Sequence, residues 1–491
     1  MRHVLLRLLR FSSGGRILVA ETEVETVKTA RQGGRDRGNF AVGSIPSNIL
    51  RMAGPMIAAQ IINVLYNLVD RMYIGRMAET GRLALTGIGI CAPAVSIIVA
   101  FANLCGMGGA PLFSQARGRG DDGAAGRIMG NAFCLLLIFG CSLTALGYAV
   151  RTPLLYGLGA DAETFPFASA YFTIYLAGTL AVMISLGMNP FVNALGSALF
   201  GMMTVAIGAV ANIILDPVFI FALGMGVRGA ALATVLSQLL SALWVLRFLT
   251  RKSTRVRLRA AQMRLQARTV GRIAALGTSG FALAFTNSLV QMLYNTQLRD
   301  LGGTLYVSVM TIVHSVREVV FAGVNGLTNG ASPVISYNYG AGQYSRIRKA
   351  IVFVTVTSLI YCTAFWAVVQ LKPEWFIRIF NSEPALLELG VRAFRLYFAA
   401  MFAMSFQLTG QIVSVALGKA KTAVFFSLLR KVILVAPLIF LLPRMFGLGA
   451  DGIFLSEPIS NVLGGAACWL TMFFRVYLPM KKQPDAPLRN V

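Results

Sequence analysis

Long apolar stretches recur along almost the whole chain, and they limit what it can fold into. Each is long enough to cross the roughly 30 Å of hydrocarbon in a bilayer as a helix. Only 13% of the residues are charged and 56% are hydrophobic, with a mean hydropathy of +0.69. A water-soluble domain needs more charge to cover its surface, so the expected solvent is a membrane.

We predict an all-α membrane protein of twelve spans with no soluble domain between them. The predicted spans are residues 48–74, 83–113, 127–150, 165–189, 191–222, 229–250, 270–298, 304–335, 348–371, 388–416, 422–443 and 452–478. Prolines and glycines within these segments do not count against helices, because neighbouring helices and side chains can satisfy the freed backbone groups.

The net charge of +25 comes from residues in loops and tails. No basic stripe interleaved with aromatic residues lies on a soluble face, so we expect lipid headgroups rather than nucleic acid as the partner. The connection after the sixth span is basic from Arg247 to Arg272 and has no acidic residue. Positive loops stay inside, which predicts a plasma-membrane protein with both termini in the cytoplasm.

Several other chemistries are not expected. The six cysteines form no CxxC pair, and His3 and His314 are the only histidines, so we predict no zinc or haem site, no disulfide framework and no cofactor. The GxGxxG string Gly224–Gly229 lies between two spans and is interpreted as a turn, not a nucleotide site. Arginines interrupt the apolar run of residues 1–20, which favours a basic tail on the membrane, or an artefact of start-codon choice, over a signal peptide.

An internal repeat divides the chain. Ser114–Gly120 aligns with Ser336–Gly342 at an offset of 222, and Gly224–Gly229 aligns with Gly447–Gly452 at 223. Each repeat holds six spans, so the two lobes should be related by a pseudo-two-fold axis along the membrane normal, with a cleft between them. The predicted organisation is a basic tail (1–44), a first lobe (45–250), a basic cytoplasmic linker (251–269), a second lobe (270–478) and a C-terminal tail (479–491).

Two carboxylates lie within the predicted spans of the first lobe, where a charge is costly and therefore a functional candidate. Asp70 follows Tyr66 by four residues and Asp216 follows Asn212 by four, spacings that share a helix face. Pro217 cannot donate a hydrogen bond, which adds a backbone oxygen beside Asp216. Such a spot could hold a proton or Na⁺. The structural alternative is that Asp70 sits at the membrane edge and Asp216 caps a kink.

The second lobe carries a different set of charges. Arg317 and Glu318 are adjacent in the eighth span, and Glu457 precedes Pro458 in the twelfth. Structural bonds to neighbouring helices and contact with a substrate both fit these residues. Few arginines are expected deep within the spans.

These stretches resemble the multidrug and toxic compound extrusion (MATE) family, in its bacterial multidrug branch, over residues 44–478. The matching segments are Tyr66–Asp70, Asn212–Ile220, Thr328–Pro333 and Tyr337–Gly342. The resemblance implies alternating access and export of lipophilic organic cations against H⁺ or Na⁺. It also implies a first-lobe cation site of Asp70, Asn189, Asn212, Asp216 and Thr234, with Tyr66 nearby and Na⁺ at Asp216 and Asn212 if sodium is used.

One departure concerns the tenth span. Gln407 and Gln411 stand where some members of the family carry an acidic pair, so an ion site in the second lobe is not expected. Together with Arg317, Glu318 and Glu457 they form an alternative polar site.

Two other functions remain open. A lipid-linked oligosaccharide flippase of the same superfamily would show a larger cavity lined by arginines. A membrane-embedded transferase would need catalytic histidines, acidic pairs or a soluble loop domain, so we do not expect an enzyme. We expect the carrier to act as a monomer on a small cationic substrate.

Overall fold

The computed structural model describes residues 38–77, 81–380, 383–445 and 447–487. Most of the predicted basic tail, residues 1–37, lies outside the described residues. Among the described residues, ten helices are long and apolar enough to cross a bilayer. A bent pair of helices forms another span, and the longest helix contains two, so the predicted twelve-span all-α fold is confirmed.

The first lobe contains six spans. They are α1 (Ile45–Gly75), α2 (Gly81–Gly118), α3 (Asp122–Gly157), α4 (Phe165–Ala194), α5 (Ala198–Ala222) and α6 (Val227–Thr250). The last turn of α5, Val218–Ala222, is a π-helix.

The second lobe begins with the continuous run Ala267–Gly340, which breaks at Gly303, where φ is +73°. This break separates α7 (267–302) from α8 (304–340), and glycine permits it because it has no Cβ. The remaining spans are α9 (Tyr344–Leu371), α10 (Pro384–Tyr397 and Met401–Ala416, bent by 41°), α11 (Ala420–Leu441) and α12 (Ala450–Lys481).

One predicted boundary was wrong. The sequence suggested a break at Pro190, but α4 continues through it to Ala194. In a bundle of membrane helices, neighbouring helices and small local adjustments can satisfy the backbone group that a proline leaves free, so a helix can continue through it. The chain turns instead at Gly196, where φ is +86°.

The first residues of corresponding helices in the two lobes show the same offset as the repeat in the sequence. Helix α3 starts at Asp122 and α9 at Tyr344, while α5 starts at Ala198 and α11 at Ala420. Both pairs are 222 residues apart, the offset of the aligned sequence segments. The two lobes are therefore two copies of one six-helix unit.

The lobes contact each other through pseudo-symmetric helix crossings at glycines. A Cβ at Gly108 of α2 would lie 2.2 Å from the carbonyl oxygen of Ile273 in α7. At the repeat-related position Gly330 of α8, a Cβ would lie 2.7 Å from the backbone of Ala53 in α1. Only glycine allows backbones to approach this closely.

Another close crossing joins α2 and α8 near the linker. A Cβ at Gly118 would lie 2.0 Å from the carbonyl oxygen of Tyr337, and one at Gly340 would lie 2.0 Å from that of Gln115. We call this end of the molecule the inner end and the opposite end the outer end. The lobes are thus closed against each other at the inner end.

Residues 251–266, which we call the strap, fold back across the inner end of the first lobe. The side chain of Gln262 packs against Gly126 of α3. Asn131 donates to the carbonyl oxygen of Arg264 at 3.1 Å and accepts from the amide of Gln266 at 2.7 Å. Val256 is buried. The basic connection between the lobes is therefore packed structure, not a loose chain.

The orientation of the protein can be tested with two exposed alanines. Ala261 lies in the strap and Ala162 in the connection between α3 and α4, at the outer end. Because the strap is strongly basic, we expect a membrane-impermeant thiol reagent to label Ala162→Cys in intact cells and Ala261→Cys only after permeabilisation. The measurement uses a background without the six native cysteines. Labelling of Ala261→Cys from outside would reverse the predicted topology.

Candidate functional site

Three of the first-lobe candidate residues, Asp70, Asn212 and Asp216, meet near the outer end. Asp216 and Asn212 are completely buried in α5, and the Asn212 amide donates to the Asp216 carboxylate at 3.3 Å. The half-buried carboxyl group of Asp70, from α1, lies in hydrogen-bonding contact with that of Asp216. Two carboxyl groups so close in a poorly solvated site cannot both be charged without a compensating cation.

The helix around Asp216 leaves several oxygen atoms without hydrogen-bond donors. Pro217 has no N–H, and the following amide, that of Val218, donates to the carbonyl of Leu215. Oδ1 of Asn212 and Oδ2 of Asp216 are buried and accept no hydrogen bond from an amide or hydroxyl group. Carboxylate and amide oxygens suit a proton or a hard cation such as Na⁺.

Tyrosines surround this carboxyl pair. Tyr66, one turn before Asp70, lies within electrostatic range of Asp70, Asp216 and Tyr175. Tyr175 and Tyr171 of α4 are buried and stack with ring centroids 5.9 Å apart. The sequence analysis did not select these two α4 residues.

Thr234 lies in the same region of the first lobe. Helices α5 and α6 are antiparallel, and the hydroxyl of Ser241 donates to the carbonyl of Thr204 at 3.0 Å. Following that pairing for about two turns brings Thr234 alongside Asn212. Thr234 is 6% exposed. Its hydroxyl is thus placed in the same layer as the carboxyl pair.

The structure does not bring Asn189 to this site. Its amide donates to the carbonyl of Gly201 at 3.2 Å. Gly201 lies about four turns before Asp216 in the same helix, a rise of roughly 22 Å. Asn189 is therefore near the inner end of the first lobe, while the carboxyl pair is near the outer end.

The second lobe contains a buried charged cluster centred on Glu457, which is 1% exposed. Lys431 donates to its two carboxylate oxygens at 3.2 and 3.3 Å, and Arg430 approaches to 3.6 Å. Arg317 lies at 4.0 Å, and the hydroxyl of Tyr294 donates at 3.2 Å. Glu457 thus connects α7, α8, α11 and α12.

This cluster corrects the expectation that few arginines lie deep within the spans, and it adds a buried lysine. Arg430 and Lys431 are 3% and 2% exposed in the π-helical part of α11. Arg430 and Lys431 both lie within the predicted eleventh span. A pair of basic residues inside an apolar stretch was the signal that the sequence analysis missed.

The other predicted second-lobe residues do not join the cluster. Glu318 is exposed, on a different side of α8 from Arg317. The Gln411 amide donates to the hydroxyl of Ser427 at 2.7 Å. Gln407 is buried, and its backbone carbonyl accepts from the Cys468 thiol. These glutamines lie further toward the inner end than Glu457.

A repeat-related pair of tyrosines marks both sites. Tyr175 lies near Tyr66 at the first-lobe site, and Tyr397, 222 residues later, borders the charged cluster of the second lobe. Their separation equals the offset of the internal repeat, so the repeat could have indicated that both lobes hold a site at this level. Two repeated lobes that meet at one end and bury charged groups define a membrane carrier.

Comparison with known proteins identifies the kind of carrier. The MatE family model matches residues 55–218 and 279–441, one segment in each lobe. The multidrug export protein MepA of Staphylococcus saprophyticus is 23% identical over 438 residues, covering 88% of this chain and 95% of that protein. The chain belongs to the MatE family, so it is a transporter and not an enzyme.

Solved structures agree with this fold. A MATE transporter in complex with MaL6 superposes with a TM-score of 0.85 at 21% identity, over 91% of this chain and 99% of that one. A MOP superfamily transporter from Pyrococcus furiosus, described by the reversed polarity of its binding pocket, has the same TM-score at 22% identity, over 91% and 98% of the two chains.

Proposed function

We propose that this protein is a secondary active antiporter that exports lipophilic organic cations from the cytoplasm in exchange for H⁺ or Na⁺. The observation that carries the proposal is the contact between the carboxyl groups of Asp70 and Asp216 in a buried site. The relatives named as multidrug export proteins support the same substrate class. We place the protein in the plasma membrane, as a monomer with both termini in the cytoplasm.

The coupling would arise from competition for one negative site. When both carboxyl groups are ionised, the low dielectric makes the pair unstable until a cation arrives. An entering H⁺ or Na⁺ halves the negative charge of the pair and so weakens the attraction for a cationic substrate. Asn212 and Thr234 would supply neutral oxygens for the coupling ion. Exchange then requires that the lobes open alternately at the two ends.

Transport in proteoliposomes tests this proposal. We expect ethidium to move against its gradient when a pH gradient or a sodium gradient is imposed, with each gradient applied separately. Protein-free vesicles and vesicles with both gradients collapsed are the controls. If neither gradient drives ethidium transport by folded protein, the antiport proposal is wrong.

One observation favours the alternative of an oligosaccharide flippase, namely the basic residues that lie deep within the second lobe. However, Arg430 and Lys431 are almost completely buried within that lobe and ion-paired to Glu457, so they do not line an open cavity. Translocation of a fluorescent lipid-linked anion in the same vesicles, without ethidium transport, would favour the flippase.

A further inference from the structure

The second lobe buries more positive than negative charge. Arg317, Arg430 and Lys431 surround a single buried carboxylate, that of Glu457. The next acidic neighbour of Arg317 is Glu318, which is exposed. Burying an unbalanced charge in a membrane protein is costly unless another group compensates it. The cluster therefore has a deficit of negative charge.

A small cavity lies against the least satisfied of these cations. Arg317, Tyr397, Glu457 and Asn461 line it, together with the apolar side chains of Val320 and Met404. The carboxylate of Glu457 is already hydrogen bonded to Lys431 and Tyr294.

The donors around the cavity lack acceptors. Nε of Arg317 and the hydroxyl of Tyr397 are buried without a hydrogen-bond partner. Arg317 is 12% exposed and Tyr397 is 2% exposed. Arg317 meets Glu457 only at 4.0 Å. Two buried donors, one of them cationic, thus line the same small space.

We propose that this cavity is an anion site that binds one monatomic anion, with chloride as the occupant in a cell. The cavity has room for about one water-sized occupant. That space suits a halide better than a carboxylate or phosphate group. A water molecule could satisfy the two donors, but only an anion also offsets the charge of Arg317 and Arg430.

Direct halide binding tests the site without any need for transport. The purified full-length protein, exchanged into gluconate buffer, is titrated with ³⁶Cl⁻ in a scintillation proximity assay. We expect saturable binding of one chloride per chain and a rise in Tm of a few degrees, since a ligand of the native state stabilises it. Bromide should compete, and acetate should not.

Two variants and a control separate the site from general salt effects. Arg317→Gln should abolish binding, and Tyr397→Phe, which keeps every charge, should weaken it about 5- to 20-fold by removing one hydrogen bond. Arg392→Gln, an exposed arginine paired with Asp451, should bind like the unchanged protein. If Arg317→Gln does not fold, Tyr397→Phe carries the test alone.

Three results would overturn the proposal, each independently of whether the protein exports cations. They are no saturable chloride binding by folded protein, equal binding by Tyr397→Phe, and displacement of chloride by acetate at equal concentration. The last result would assign the cluster to a carboxylate ligand such as part of a substrate.

Discussion

Asp216→Asn is expected to reduce gradient-driven ethidium transport at least about 100-fold, while ethidium binding persists. An asparagine keeps the size of the side chain and its hydrogen bond with Asn212 but can no longer change charge. Asp70 would then be the one ionisable carboxyl group of the site, and the change of charge that the pair undergoes together would be lost. Initial rates in proteoliposomes, together with equilibrium binding in detergent, measure the two effects separately.

Asp70→Asn should produce a similar loss, and the double variant should be little worse than either single one. The reason is that the two carboxyl groups contact each other and act as one unit, for which effects are not additive. Asp300→Asn is the matched control, because this carboxylate is exposed at the end of α7. Near-normal driven transport by folded Asp216→Asn protein would move the coupling site elsewhere, with Glu457 the next residue to test.

Gly118→Ala is expected to prevent the lobes from closing at the inner end. The new methyl group would stand 2.0 Å from the carbonyl oxygen of Tyr337, so α2 and α8 must separate. Overpacking of this kind costs about 1–3 kcal/mol, which shifts a two-state equilibrium by roughly 5- to 150-fold. We expect transport to fall by a similar factor. Reaction of Ala53→Cys, at the α1–α8 crossing, with a thiol reagent should become faster.

Gly89→Ala provides the control within the same helix. A Cβ at Gly89 would meet nothing within 4 Å, so this substitution should leave both transport and labelling unchanged. Gly340→Ala should repeat the effect of Gly118→Ala, since its Cβ would lie equally close to Gln115. If Gly118→Ala transports like Gly89→Ala, the crossing does not form the closed end.

Local patterns were enough to predict the helices and the repeat. Apolar length fixes the spans because a helix in lipid must satisfy its own backbone, and the 222-residue offset predicted matching helix starts such as Asp122 and Tyr344. Spacing of four predicted that Asn212 and Asp216 share a helix face, and the two side chains are hydrogen bonded.

Contacts between helices were harder to predict. The positions of Asp70 and Asp216 in the sequence do not predict that α1 and α5 bring the two side chains into contact. Only the family resemblance grouped these residues. The same resemblance grouped Asn189, which lies about four helical turns away. Arg430 and Lys431 were overlooked because the apolar residues around them satisfied the criterion for a span. Their partner Glu457 comes from a different helix, which no local pattern reveals.

The docked strap limits how far the two halves can swing. Sixteen residues of free chain could span roughly 50 Å and would form a flexible linker that leaves the two lobes unrestrained. Here contacts with Gly126 and Asn131 keep the strap packed on the first lobe as far as Gln266, the residue before α7 begins. The covalent connection is therefore short and lies at the inner end. It ties the start of α7 to the first lobe at one point of the inner end, so any opening there must occur around that fixed attachment.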